Sequence, residues 1–144
     1  MGAWEIGNFG NDDAMDFVAD VIDNGKQEIL NAIQKIFNAA PTEYLEAPDC
    51  SIALAAIEFI AAAKGNAAAD FPEEAIAWLS ENEILPFKSK GILGFGSKET
   101  DIITISQQAI ERIINKSELL ELWQEAKESN EWLDTVKDLK KRIL

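Results

Sequence analysis

From Ser51 to Ala63 the chain reads SIALAAIEFIAAA, and Glu58 is its only charged residue. A helix built from this run is apolar on nearly every side rather than along one stripe. Such a helix belongs at the centre of a protein, with other helices around it. Pro48 and Asp49 stand at its start, and Gly65 follows Lys64 at its end, as helix entry and exit favour. The run is too short to span a bilayer, and Glu58 interrupts it. The rest of the chain must therefore supply the apolar faces that cover it.

The flanking segments carry those faces. Ala14, Phe17, Val18, Val21 and Ile22 recur at helical spacing between Asp12 and Asp23, before the stop Asn24-Gly25. Ile29, Leu30, Ile33, Ile36 and Phe37 mark a second helix that ends before Pro41. A short helix through Trp78 and Leu79 opens at Pro72, which suits the first helical position. Glu83 to Asp101 breaks the pattern and reads as a long loop. DIITIS is β-branched enough to suit a strand, but Ile103, Ile110 and Ile114 continue at helical spacing, so a helix is expected. Ser117 caps a segment carrying Leu119, Leu120, Leu122 and Trp123, and Trp132, Val136, Leu139 and Ile143 mark a last helix. The expected fold is all-α: a single domain over residues 1–144, a compact bundle of about six or seven short helices. At this length roughly two thirds of the unfolded surface is buried on folding.

The chemistry open to the chain is narrow. It has no His, which removes Ser-His-Asp and Cys-His catalysis, His-ligated zinc and the Glu-x-x-His sites of di-iron bundles. Cys50 is the lone cysteine, so no internal disulfide forms. The formal net charge is −13. Nucleic acid and anionic membrane both select Lys and Arg, so neither is expected as a partner. The acid concentrates early: residues 1–50 hold ten Asp/Glu against two Lys, a net of −8. Lys and Arg are absent before Lys26 and no apolar signal core follows the start, so a cytoplasmic location is expected.

The opening MGAWEIGNFGNDDAMDF combines glycines, two spaced aromatics and a burst of acids. Trp4 and Phe9 suit apolar plugs on a glycine-rich strap laid over the bundle. Gly2, Gly7 and Gly10 give that strap room for turns and close approach. Asn11 then suits an N-cap, with Asp12 and Asp13 in the first turn, where the helix dipole favours acids. These residues resemble a bacterial family known as domain of unknown function 4259, whose members begin MGAWG-x-G-x-F-x-NDDA-x-D. Met1, Gly2, Ala3, Trp4, Gly7, Phe9, Asn11, Asp12, Asp13, Ala14 and Asp16 match that pattern, while Glu5 replaces its usual Gly. The resemblance continues more weakly in EYLEAP, AAIEFIAAAKG and PEEAIAWL. It implies a shared fold and no particular activity.

Candidate functional residues are Trp4, Gly7, Phe9, Asn11, Asp12, Asp16 and Glu58. The strap either packs structurally or walls a groove with Asp12 or Asp16 facing in. Asp13, Asp16, Asp20 and Asp23 fall on one side of the first helix, as a solvated stripe or as a face for a basic partner or divalent cation. Glu58, among apolar neighbours, must be hydrogen-bonded or neutral. Backbone N–H groups or the Trp4 indole are its expected donors, locking the strap to the core; the alternative is a general acid or base. GILGFGSK at Gly91–Lys98 lacks the Gly-Lys-Ser/Thr order of a phosphate loop, and Ile92, Leu93 and Phe95 there suit a partner contact or the core. No catalytic residue, metal site or cofactor is assigned. The expected function is a non-enzymatic acidic module that binds a basic protein, for example an inhibitor or immunity-type protein. The alternatives are a carboxylate enzyme or metal or small-ligand binder using the opening motif, and a self-associating structural protein.

Overall fold

The structure, a computed structural model, describes residues 6–90, 97–99 and 101–144. Among these residues are seven helices: α1 Asp12–Asn24, α2 Gln27–Phe37, α3 Ala47–Ala63, α4 Glu73–Glu81, α5 Ile102–Asn115, α6 Glu118–Glu125 and α7 Ser129–Arg142. The fold is an all-α bundle with α3 at its centre, packed against each of the other six helices. Cys50, Ser51 and every residue from Ala53 to Ala61 are buried, as an all-round apolar sequence requires. No helix among the described residues is long and apolar enough to cross a membrane.

Local sequence sets the helix ends. The Asn11 side chain accepts from the Ala14 N–H at 2.8 Å and starts α1. Gly25 ends it with φ of 99°, a left-handed value that favours glycine. Asp101 caps α5 through the Thr104 N–H, and Ser117 caps α6 through the Leu120 N–H. Pro72 stands one residue earlier than expected, as the N-cap of α4 with extended backbone rather than as its first helical residue.

Two expectations shift on the buried faces. Ile22 is 36% exposed and stands at the edge of the α1 stripe formed by Ala14, Phe17, Val18 and Val21. On α5 the buried face is Ile102, Ser106, Ala109, Ile110 and Ile113, with Ile103 and Ile114 half-buried on its shoulder. This helix carries so many isoleucines that spacing alone fits either face. The expected long loop also holds secondary structure: β1 Lys88–Lys90 pairs antiparallel with β2 Ser97–Glu99, Lys88 opposite Glu99 and Lys90 opposite Ser97. Three-residue polar arms leave no alternating pattern to read. Ile84 and Phe87, just before this ribbon, are buried and anchor it to the core.

Phe59 organises the aromatic side of the core. It meets Phe17, Phe71 and Trp78 edge-to-face at 6.2, 5.3 and 6.0 Å between ring centroids. Such pairs add stabilisation beyond their buried area. Phe59→Ala is expected to destabilise the fold by about 3–5 kcal/mol, whereas Ile22→Ala, at the edge, changes it by under about 1 kcal/mol. Urea unfolding monitored by circular dichroism checks both values.

Burial also controls the single thiol. Cys50 is fully buried on α3 and its thiol is pushed up to about 12, mainly by desolvation; a hydrogen bond with Ser117 opposes the shift. The folded state therefore holds this proton more tightly than the unfolded state does. This contribution to stability is complete below the ordinary thiol value of 9.0 and is lost as pH rises toward about 12. Native protein at pH 8 should resist alkylation by iodoacetamide, and urea should expose the thiol. Rapid labelling of native protein would contradict the placement.

Candidate functional site

The strap enters the bundle through one tight turn. The Gly10 N–H donates to the Gly7 carbonyl at 2.9 Å, and the two residues between them, Asn8 and Phe9, are both buried. A turn normally points its central side chains at water; this one points them inward. Phe9 packs edge-to-face on Phe71 at 5.4 Å and so joins the Phe59 cluster as the expected plug. Gly7 lies against the Asp70 side chain: a Cβ there would stand 2.6 Å from Asp70 Oδ2, and the exposed Asp70 carboxylate would have to swing aside. Trp4 lies outside the described residues.

Asn8 reaches the acid in the centre of the bundle. Its Nδ2 donates to Glu58 Oε2 at 2.7 Å. The other donors to Glu58 come from the far end of the chain: Arg142 Nη1 to Oε1 at 2.7 Å and Nη2 to Oε2 at 3.0 Å. Glu58 is 1% exposed, so this pair is removed from water on the carboxylate side. The two-pronged geometry is the strong form of an ion pair. Donating to Glu58 raises the Arg142 guanidinium above its ordinary value, against the opposing effect of burial. Among the described residues the donors to Glu58 are the side chains of Asn8, from the strap, and Arg142, from α7, and not the expected backbone N–H groups; the other expected donor, the Trp4 indole, lies outside the described residues.

Around that pair the ends of α3 and α7 hold one another. Arg142 Nε donates to Asp138 Oδ2 at 2.8 Å, one helical turn earlier. Arg142 Nη1 also donates to the Asn66 carbonyl, and Asn66 Nδ2 donates back to the Arg142 carbonyl at 3.0 Å. Lys64 Nζ donates to the Ile143 carbonyl at 2.9 Å. Orphan carbonyls at the end of α7 thus find donors supplied by the segment that closes α3. The sequence held one signal for this arrangement. The chain has eleven lysines and only two arginines, and both arginines occupy fork-shaped jobs. The other, Arg112 on α5, donates to the carbonyls of Ile36, Ala39 and Ala40 and closes α2.

The remaining candidates separate into a buried set and an exposed set. Asn11 is buried and occupied as the α1 cap. Under the strap, beside Asn8, Asn11, Ser51 and Trp132, there is a space of about 10 Å³, room for one water and not for a substrate. Asp12 and Asp16 are not aimed into it: both are exposed on α1, as are Asp20 and Asp23, with Asp13 half-buried. None of these five acids pairs with a Lys or Arg among the described residues. Among the described residues, no three Asp, Glu or Cys side chains converge as a metal-binding group. The phosphate-loop-like stretch is described only at Ser97 and Lys98, so Ile92, Leu93 and Phe95 lie outside the described residues.

Removing Arg142 strands a buried carboxylate. Arg142→Met is expected to destabilise the fold by about 3–5 kcal/mol. The double variant Glu58→Met/Arg142→Met should recover most of that loss, since two apolar chains of similar volume replace the pair. Denaturant unfolding of both single variants and the double one gives the coupling. A near-zero effect of Arg142→Met, or simple additivity, would contradict the lock.

No curated protein and no solved structure matches the chain. The family model described as "Domain of unknown function (DUF4259)" matches residues 2–135. That span runs from the strap through α6 and into α7, and takes in both Asn8 and Glu58. The chain therefore belongs to the DUF4259 family.

Proposed function

We propose that this protein is a non-enzymatic, acidic protein-binding module of the bacterial cytoplasm, and that its partner is a basic protein. A toxin or nuclease neutralised by an inhibitor or immunity-type protein is the specific form of that pairing. The observation that carries the reading is the row Asp12, Asp16, Asp20 and Asp23, exposed along α1 and making no ion pair with Lys or Arg among the described residues. Like charges at this spacing repel one another, and a cationic surface relieves the repulsion. The whole-chain charge of −13 extends the same field beyond the helix. Such a field speeds encounter with a basic partner and makes it sensitive to salt.

Glu58 weighs against the enzymatic alternative. Both its oxygens are taken by Arg142 and Asn8, and the space beside Asn8 admits no substrate. An acid or base in catalysis has to reach the proton it moves.

A pull-down from native lysate, with the tag at the C-terminus, tests the reading. The expected result is one basic protein retained at low salt and released at high salt. Asp16→Asn/Asp20→Asn should weaken its capture about tenfold or more, the loss of two close charges being worth at least that at low ionic strength. Retention of nothing specific at either salt, or capture indifferent to the double variant, would count against a basic partner for this face.

A further inference from the structure

Charge brings partners together, but desolvated apolar contacts usually hold them. A binding module of this kind therefore needs an apolar anchor point within its acidic surface. Helix α4 supplies one. Its sequence EEAIAWLSE places Ala75 and Trp78 toward the core, Ala75 fully buried and Trp78 edge-to-face on Phe59. Ile76 follows Ala75 by one residue and is turned about 100° away from it around the helix axis. Folding leaves Ile76 51% exposed.

One exposed isoleucine on a convex surface is ordinary. Ile76 instead lines a groove of about 570 Å³, between the end of α3, the outer side of α4 and the extended segment that follows it. Ala62, Leu79 and Leu85 contribute further apolar wall. Among the described residues the charge on the lining is of one sign: Glu81 and Glu83 contribute to it, both exposed. A groove of this volume accommodates several side chains. Helices α4 and α1 pack together, so this groove and the acidic row belong to neighbouring elements.

We propose that the α4 groove is the anchor point for a cationic amphipathic segment of the protein partner: a large apolar side chain seats beside Ile76, and flanking Lys or Arg residues meet Glu81 and Glu83. The proposal rests on the binding-module reading above and gives it a place. The acidic row on α1 sets the rate of encounter. Apolar burial in the groove sets the lifetime of the complex.

The probe is a synthetic helical peptide of Leu and Lys with its leucines on one face. The controls are a Lys/Ser peptide and a Leu/Glu peptide, and binding is measured by calorimetry across a salt series. Ile76→Ser alters a half-exposed position, and its fold is checked by circular dichroism and an unchanged Tm. It should weaken the Leu/Lys peptide about tenfold, the loss of one buried aliphatic contact, without changing the salt slope. Glu81→Gln/Glu83→Gln should weaken the peptide at low salt and flatten the salt slope. Equal binding of the Lys/Ser peptide, or no effect of Ile76→Ser, would overturn the groove. If affinity then falls only in Asp16→Asn/Asp20→Asn, the groove fails while the acidic module stands. If the Leu/Lys peptide binds no better than Leu/Glu at low salt, both readings fail. A dimer by light scattering that Ile76→Ser dissolves would assign the groove to a second copy and overturn a cationic partner there.

Discussion

A carboxylate sits in the middle of the most apolar helix of this protein, and the architecture answers it from both ends of the chain. Burying an ionised Glu58 without partners would be strongly unfavourable. Arg142 brings a compensating charge from the end of α7, and Asn8 brings a neutral donor from the strap. Neither is near Glu58 in sequence, so their arrival fixes where α7 ends and how the strap enters. An apolar residue at position 58 would let α3 pack in many rotations, because its faces are nearly equivalent. One ionic contact with a required fork geometry selects among them, a role buried polar groups serve in some helical assemblies.

The same logic explains what could be read from the sequence. The helices of α1, α2, α6 and α7 were legible because each has one apolar stripe, one capping signal or both; Asn11, Gly25 and Ser117 do what their chemistry predicts. α3 was legible for the opposite reason, its lack of any stripe. The α5 face was ambiguous because isoleucines occupy two adjacent stripes. The β1–β2 ribbon was invisible because three polar residues per arm carry no periodic signal. Glu58 was legible as a problem and its solution was not. A bare pattern shows that a buried acid needs donors; only the fold shows which helix end arrives beside it.

Candidate residues divide along the same line. Phe9, Asn11 and Glu58 are consumed by packing, capping and ion pairing, and the structure gives each a complete local reason. Gly7 lies against the exposed Asp70 side chain. Asp12 stands in the first turn of α1, where the helix dipole favours an acid, and Asp16 receives no such reason; both are exposed and make no ion pair among the described residues. A motif that looked like one unit in sequence is two in space, a buried tether followed by an exposed acidic row. That division is why the buried half informs about stability and the exposed half about partners.

Charge distribution carries the functional argument one step further. Where basic residues occur, the fold spends several on its own joints: Arg142 on Glu58 and Asp138, Lys140 on Glu111, Lys35 on Asp49, Arg112 and Lys64 on helix-end carbonyls. None of these pairs involves an acid of α1 or α4, so among the described residues the carboxylates of those two helices make no ion pair. A net charge this far from zero destabilises a compact state through self-repulsion. A protein that only had to fold would gain by exchanging some of Asp16, Asp20, Glu81 or Glu83 for neutral residues. Glu81 and Glu83 share a groove with the exposed Ile76, and the cationic, partly apolar partner proposed above would turn that repulsion into attraction.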